Sequence, residues 1–479
     1  MRRANWPLAL FLLLAACAQP AAPAAADASD AATAADAVAL ADVQAAGPLT
    51  RSPSTVALQD IVGLSSHPAL GADPGAVAER VFEWKAMKQL GIHRVRTDFR
   101  FATVEPQPGV WDFSAYDPLV TEAAANGVNL LALLDATAPW AATVANGADG
   151  YPPRDPQDFA DFAAKVADRY KANVAEYEVW NEPNNGVSFW KADQFAGEPD
   201  RYAALFLAAN HAIHAAQPAA QVAFGAILYH FIVGSGPQFL ADALQSTPPP
   251  APDIGVFSLH PYPLYPPTSS PESALGDEVP LMTQLATMNG LLSAAGAPTP
   301  AIPFWLTELG WPTTSALTPA QQARYTVRAI VLSALAGADR LYLYTLLDDG
   351  NSMGAEGVFG LMMAGDVTGT GTGVAPQPKP AFVAIQTLLK TVGAYRVVAQ
   401  VPQPGFPGAW LVRLENAGQF AYLAWRTEDA PLPTTVTLPF GGNVHVTQLD
   451  GTSEDATAPA VGNYQVAVSP DPVIVQPRP

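Results

Sequence analysis

Two glutamates stand out for what surrounds them. Glu182 lies in "YEVWNEPNN", Tyr177 to Asn185, and Glu308 lies in "FWLTELG", Phe304 to Gly310. Each follows a run of aromatic and β-branched residues that reads as a buried strand. Each run then ends on polar residues, which core packing does not require. Two carboxylates, one protonated and one ionised, form the minimum set for displacement at an acetal carbon. One gives a proton to the leaving oxygen; the other attacks the carbon or activates water. The two positions are far apart in the chain, so only the fold can join them.

Other polar residues sit where similar runs end. "HRVRTDF" carries Arg96 and Asp98, and "SLHPY" carries His260 and Tyr262. Arg96 has two open readings. It either lies near a catalytic carboxylate and favours its ionised form, or pairs with Glu178 as a structural ion pair. A lone histidine is more often structural; at a strand end beside Tyr262 it is a binding candidate. Trp111, Trp140, Trp190 and Trp311 are large apolar surfaces of the kind that stack on sugar faces. Each is equally readable as core. Trp140 and Trp311, directly after strand-like runs, are the stronger platform candidates.

Eight runs read as strands: 60–66, 93–99, 129–135, 176–182, 221–227, 254–262, 303–310 and 340–348. Helical spacing appears over 77–90, 156–170, 201–216, 319–336 and 379–392. Eight alternations point to a (β/α)8 TIM barrel over residues 55–392, whose C-terminal strand ends would collect the polar residues. The rival, an open doubly wound sheet, commonly carries a glycine-rich phosphate loop after its first strand, and "GLSSHPALG" has no such spacing. After Val392, short alternating runs separated by Gly, Pro, Asn and Asp predict a small antiparallel β-sandwich over 393–479. We read it chiefly as a domain that packs on the barrel.

The chain has 479 residues, 49% of them hydrophobic, and a formal charge of -19. Such an acidic surface repels phosphate backbones, so nucleic acid is not an expected partner. The single cysteine, Cys17, precludes an intrachain disulfide. "MRRANWPLALFLLLAAC" has a basic start and an apolar run too short to span a bilayer. Its "LAAC" resembles the bacterial lipoprotein signal, which implies removal of residues 1–16 and lipid attachment at Cys17. Residues 17–54, rich in Ala, Pro and Asp, then read as a tether. "DVTGTGTG", Asp366 to Gly373, has too few carboxylates for a calcium loop. Neither a metal nor an organic cofactor is expected.

"RVRTDFRFATVEPQPGVWDFSAYD", "YEVWNEPN", "FWLTELGWPT" and "GLMMAGDVTGTGTGVAPQPKPAF" together resemble clan A glycoside hydrolases. Within the clan the likeness is to family 39, especially PslG-type exopolysaccharide hydrolases, over about residues 55–395. The resemblance implies a retaining hydrolase of β-linked polysaccharide or oligosaccharide, acting internally. It implies Glu182 as acid/base, Glu308 as nucleophile and Asn181 on the sugar 2-hydroxyl. It also places Arg96 near the nucleophile, and His260 and Tyr262 on the sugar or the nucleophile. The clan often has Trp at strand eight, where this chain has Tyr344 and Asp348. The expected protein is a monomer, secreted across the inner membrane and lipid-anchored at the cell envelope. The alternatives are an exo-acting β-glycosidase such as a β-xylosidase, and a non-catalytic carbohydrate-binding lipoprotein.

Overall fold

The computed structural model describes residues 47–144, 149–192, 197–230, 236–299, 301–350, 354–367, 373–430, 435–439, 442–457 and 465–478. Cys17, the signal, the tether up to residue 46 and most of the Gly/Thr-rich loop lie outside them.

Eight strands close into a parallel barrel: β1 (Val62–Ser65), β2 (Arg94–Arg100), β3 (Asn129–Asp135), β4 (Val174–Val179), β5 (Gln221–Leu228), β6 (Val256–His260), β7 (Phe304–Leu309) and β8 (Arg340–Tyr344). β1 pairs with both β2 and β8, which leaves no edge. Side-chain period decides what faces where. On β3, Leu130, Ala132 and Leu134 join the large core beneath the helices, whereas Leu131 meets Ala223, Val256, Trp305 and Tyr342 inside the barrel. Towards the strand starts, Glu176 binds Arg94 and Arg340. One turn of the pleat higher, Arg96 binds Glu178, both almost fully buried. The interior is therefore filled, and its open end is lined by whatever follows these layers.

Pro and a capping side chain together start the helices Pro74–Leu90, Pro156–Tyr170 and Pro319–Leu335. Asp73 accepts from the backbone N–H groups of Gly75 and Ala76, and Pro74 opens the helix Pro74–Leu90. Thr318 and Gln321 form a capping box at the start of Pro319–Leu335. Among the described helices longer than one turn, three escape the periodicity reading: Asp117–Ala125, Gly236–Leu244 and Leu281–Ala294. Two are short. The third is buried on most sides, so its apolar residues form no stripe.

The C-terminal part is a lopsided sandwich. β9 (Arg396–Gln400), β10 (Ala409–Asn416), β11 (Gln419–Arg426), β13 (Asn443–Thr447), β14 (Ser453–Thr457) and β16 (Val473–Pro477) make a six-stranded sheet. β12 (Thr435–Thr437) and β15 (Gln465–Ala467) pair as a second, smaller one. Alternation puts Val412, Leu414, Leu423, Trp425 and Ile474 into the barrel's core cluster. Leu411, Tyr422, Ala424 and Val475 face the small sheet with Val436 and Val466.

One boundary differs from expectation. Residues 49–54 are not tether but bound chain. Leu49 and Ser54 donate backbone N–H groups to Ala286 and Ala334, and Arg51 donates to the Ile302 carbonyl. Arg51 also lies over the Phe304 ring. Composition hides this, because a few backbone hydrogen bonds and one cation–π contact fix a segment with little apolar content.

Candidate active site

The end of β4 abandons strand period. Val179 and Trp180 both turn outward into the core, where Trp180 meets Trp190 edge to face at 5.2 Å. Regular alternation would have sent Trp180 inward, beside Glu178. Instead Trp180 has φ 71° and Glu182 φ 43°, left-handed values that cost about 1–3 kcal/mol per residue for non-glycine types. The turn aims Asn181 and Glu182 at the barrel mouth.

Neighbouring strands hold that turn. Trp180 N–H donates to the Leu134 carbonyl, and Glu182 N–H donates to the Ala226 carbonyl. Ala226 is available because β5 slips register against β6 between Phe224 and Ile227. Gly225 makes the slip possible: its φ is 133°, and a Cβ there would lie 2.1 Å from the Ser258 carbonyl oxygen. Gly310 serves β7 similarly, since a Cβ there would lie 2.1 Å from the Tyr344 carbonyl oxygen.

Two carboxylates meet over the filled barrel. One oxygen of Glu182, one of Glu308 and one nitrogen of His260 lie within 4.8 Å of one another. Glu308 receives three donors: Arg96 Nη1 at 2.5 Å, Tyr262 hydroxyl at 3.3 Å and Ser65 hydroxyl at 3.4 Å. Glu182 receives the Asn185 amide at 2.9 Å and contacts His260 Nδ1 at 2.9 Å. The same nitrogen is 3.8 Å from Glu308. The environments are thus unequal: Glu308 faces a permanent cation and Glu182 does not.

Arg96 realises both of its readings. Its Nε donates to Glu178 at 2.6 Å while Nη1 serves Glu308. Nη2 donates to the Asn181 side-chain oxygen at 2.8 Å, which orients the amide so that its NH2 group remains a donor. Burial alone would lower the guanidinium pKa, but Glu178 and Glu308 outweigh it and hold the charge. Burial also pushes the Tyr262 phenol well above its ordinary value, with Glu308, Tyr344 and Glu182 adding to it, so its hydroxyl stays a donor.

Of the two expected sugar platforms, one is displaced. Trp311 is 1% exposed, donates to the Ser269 carbonyl and stacks edge-on against Tyr325. It pins the loop after β6 and offers no open face, which corrects the sequence reading. Trp140 is half-buried against Phe101, with its indole N–H on the Glu105 carbonyl. Residues the sequence reading passed over also reach the site. Ser65 ends β1, and Asn185 sits three residues beyond Glu182 with its amide turned back. Glu356, on the turn Ala355–Val358, is raised by burial and further by Glu182 and Glu308, and it hydrogen-bonds Tyr265. Only the "NEPNN" spacing offered a signal, for Asn185.

Glu182, His260 and Glu308 are also the one group among the described residues whose atoms converge as metal ligands do. Arg96 already places a fixed positive charge on Glu308, which suits the pair to proton transfer and attack on carbon.

No family model matches the sequence, and no curated protein matches it either. Solved structures do. A family 39 glycoside hydrolase from the gut symbiont Bacteroides cellulosilyticus WH2 is similar at TM-score 0.68 and 18% identity, over 89% of this chain and 83% of that one. A monomeric beta-xylosidase from Caulobacter crescentus CB15 is similar at TM-score 0.59 and 17% identity, over 90% and 98%. A GH30 endoxylanase from Clostridium papyrosolvens C71 is similar at TM-score 0.57 and 12% identity, over 90% and 98%. This chain has the fold of these glycoside hydrolases, barrel and β-domain together.

Proposed function

We propose that this chain is a retaining glycoside hydrolase that cuts β-linked polysaccharide or exopolysaccharide internally. The carrying observation is the approach of the Glu182 and Glu308 carboxylates, with oxygens within 4.8 Å. Retaining enzymes hold their carboxyl groups about 5–5.5 Å apart, whereas inverting ones leave about 6.5–9.5 Å for a water between them. The strand positions and the shared fold support the same reading.

In this reading Glu308, held by the Arg96 guanidinium, attacks the anomeric carbon as Glu182 protonates the departing oxygen. A glycosyl ester on Glu308 results. Glu182, now a carboxylate, takes a proton from water, which attacks the same carbon and frees Glu308. Asn181 binds the sugar 2-hydroxyl through its free NH2, and His260, Tyr262 and Trp140 complete the contacts. The test is the anomeric form of the first product, followed by NMR with a β-linked substrate. A β product is expected; an α product ends the proposal.

The second reading is exo action. The Tyr265–Glu356 hydrogen bond favours it, because it joins the loops after β6 and β8 beside the carboxylates. Product sizing separates the two: internal cutting gives oligomers early, exo action gives only single sugars. We also propose secretion and lipid attachment at Cys17, on the signal resemblance, and a monomeric state, on the likeness to a monomeric beta-xylosidase.

A further inference from the structure

The mouth of the barrel holds a second acidic group that the displacement chemistry leaves unused. On β3, Leu131 and Leu133 point inward, and Asp135 follows on the same face at the strand end. Its partner across the ladder is Arg100, and Asp98 lies one pleat lower, opposite Leu133. Asp135 is 8% exposed, and its Oδ1 is fully buried without a hydrogen-bond partner. The hydroxyl of Thr137, two residues on, is likewise buried and unpartnered. Asp98 binds His67 Nδ1 at 3.1 Å, and Arg100 is drawn off to Asp149. The His67 imidazole senses Glu308 as well, so this group adjoins the nucleophile.

We propose that Asp98 and Asp135 form a cation subsite for the ammonium group of an amino sugar, on the side of the scissile bond that becomes attached to Glu308. The place of this site relative to the scissile bond rests on the hydrolase reading; the binding of an ammonium does not. A buried carboxyl such as Asp135, with a second carboxylate one pleat away on the neighbouring strand, resists ionisation unless a further cation arrives. Asp98 already has His67, so Asp135 is the carboxyl without a partner; a neutral hydroxyl brings it no charge, whereas an ammonium brings three donors and a positive charge that both carboxylates can share. In the free protein the proton takes the cation's place. Burial, and then Asp98, push Asp135 up to about 8, against the opposing pull of Arg100, Arg96 and His67. The acidic groups at the mouth, Glu182, Glu308 and Glu356 among them, oppose an anionic sugar there.

The test is calorimetric titration of the full chain at pH 7 with three pairs: glucosamine and glucose, galactosamine and galactose, mannosamine and mannose. Two buffers of different protonation enthalpy are used. In at least one pair the amine is expected to bind about tenfold or more tightly, the size of a charge-assisted contact. At pH 7 its binding should release protons, because Asp135 ionises as the ammonium arrives; the release should vanish near about pH 8 and give way to uptake above it, where Asp135 is already ionised and the free amine is neutral. Asp135→Asn, with its fold checked by circular dichroism, should lose both the amine advantage and the proton release. Should that variant misfold, proton release by the wild type decides. An amine advantage absent from every pair, including the case in which nothing binds, overturns the proposal. So does an amine advantage without proton release. Turnover by wild type and Glu308→Ala is measured separately, so hydrolysis stands or falls independently of amine binding.

Discussion

At the scale of residues, the two carboxylates differ in what they touch, and the difference has kinetic consequences. Glu308→Ala should lose nearly all retaining turnover on every substrate. Glu182→Ala should depend on the leaving group. With an activated aryl glycoside the intermediate still forms, since little protonation is needed, but its breakdown slows. A burst of aryl release is expected, and azide should hasten the slow phase. With a natural sugar leaving group the loss should be about 10²–10⁴-fold. Azide rescue of Glu308→Ala but not of Glu182→Ala would reverse the assignment. Arg96 combines two duties that mutation can separate. Arg96→Met strands the buried Glu178 carboxylate and should cost about 3–5 kcal/mol of stability by denaturant titration. Adding Glu178→Met should restore much of that stability without restoring turnover, because Glu308 still lacks its cation. Asp135 adds a pH signature. Its pKa, about 8 when folded, lies above the unfolded value, so between about pH 4 and 8 the folded state binds the extra proton and its share of stability falls as pH rises. Asp135→Asn should flatten that part of the stability–pH curve; an unchanged slope would show that the carboxyl titrates normally.

At the scale of elements, what was legible in the sequence is what obeys a period. All eight barrel strands are visible as apolar runs, and "NLLALLD" matches β3 end to end. The helices Pro156–Tyr170 and Pro319–Leu335 are equally plain, because a proline and a capping residue open each. The proposed catalytic pair was legible because strand tips that end in carboxylates break the core pattern. What escaped depends on local backbone geometry or on long-range contacts. Trp311 looks like a platform in sequence, yet its indole is spent on the Ser269 carbonyl of another loop. Asp135 ends its strand as plainly as Glu308 does, but nothing in "LLDAT" reveals that Asp98 lies beside it. Glycines carry the rest of the hidden geometry. Gly225 lets β5 slip so that the Ala226 carbonyl meets Glu182 N–H. Gly225→Ala combines an unfavourable positive φ with a Cβ 2.1 Å from backbone oxygen, so β5 must retreat from β6. We expect the melting temperature to fall and kcat to fall further than stability alone explains, with KM nearly unchanged. Loss of stability with wild-type kcat in the folded fraction would mean that the slip does not position Glu182.

At the scale of the whole molecule, two claims concern what the barrel is attached to. Wild-type protein made in a bacterial host should partition with membranes, and Cys17→Ser should free it, because the substitution removes the only thiol that could carry acyl chains. Equal soluble fractions would remove the lipid anchor. The other attachment is the β-domain, and here the packing argues for dependence. Nine of its residues, among them the large Val412, Leu414, Leu423, Trp425 and Ile474, belong to the barrel's own core cluster. At about 1.5–3 kcal/mol for each buried apolar side chain, exposing them and their counterparts costs on the order of 10 kcal/mol. That equals the whole stability of an ordinary domain, about 5–15 kcal/mol. Polar groups add to the loss. Arg328, fully buried on the helix Pro319–Leu335, donates to Glu428, to the Arg426 carbonyl and to the Pro470 carbonyl, and Trp425 donates to Glu272 at 2.6 Å. A chain ending at Val392 keeps Arg328 and Glu272 but loses every β-domain partner. It should be insoluble or show no cooperative melting transition. A milder version separates charge from packing: Arg328→Met in the intact chain strands Glu272 but leaves the apolar contact, and should lower stability without abolishing folding. A truncated barrel that melts cooperatively and turns over substrate like the full chain would mean that the sheet is an accessory, free to serve the substrate rather than the fold.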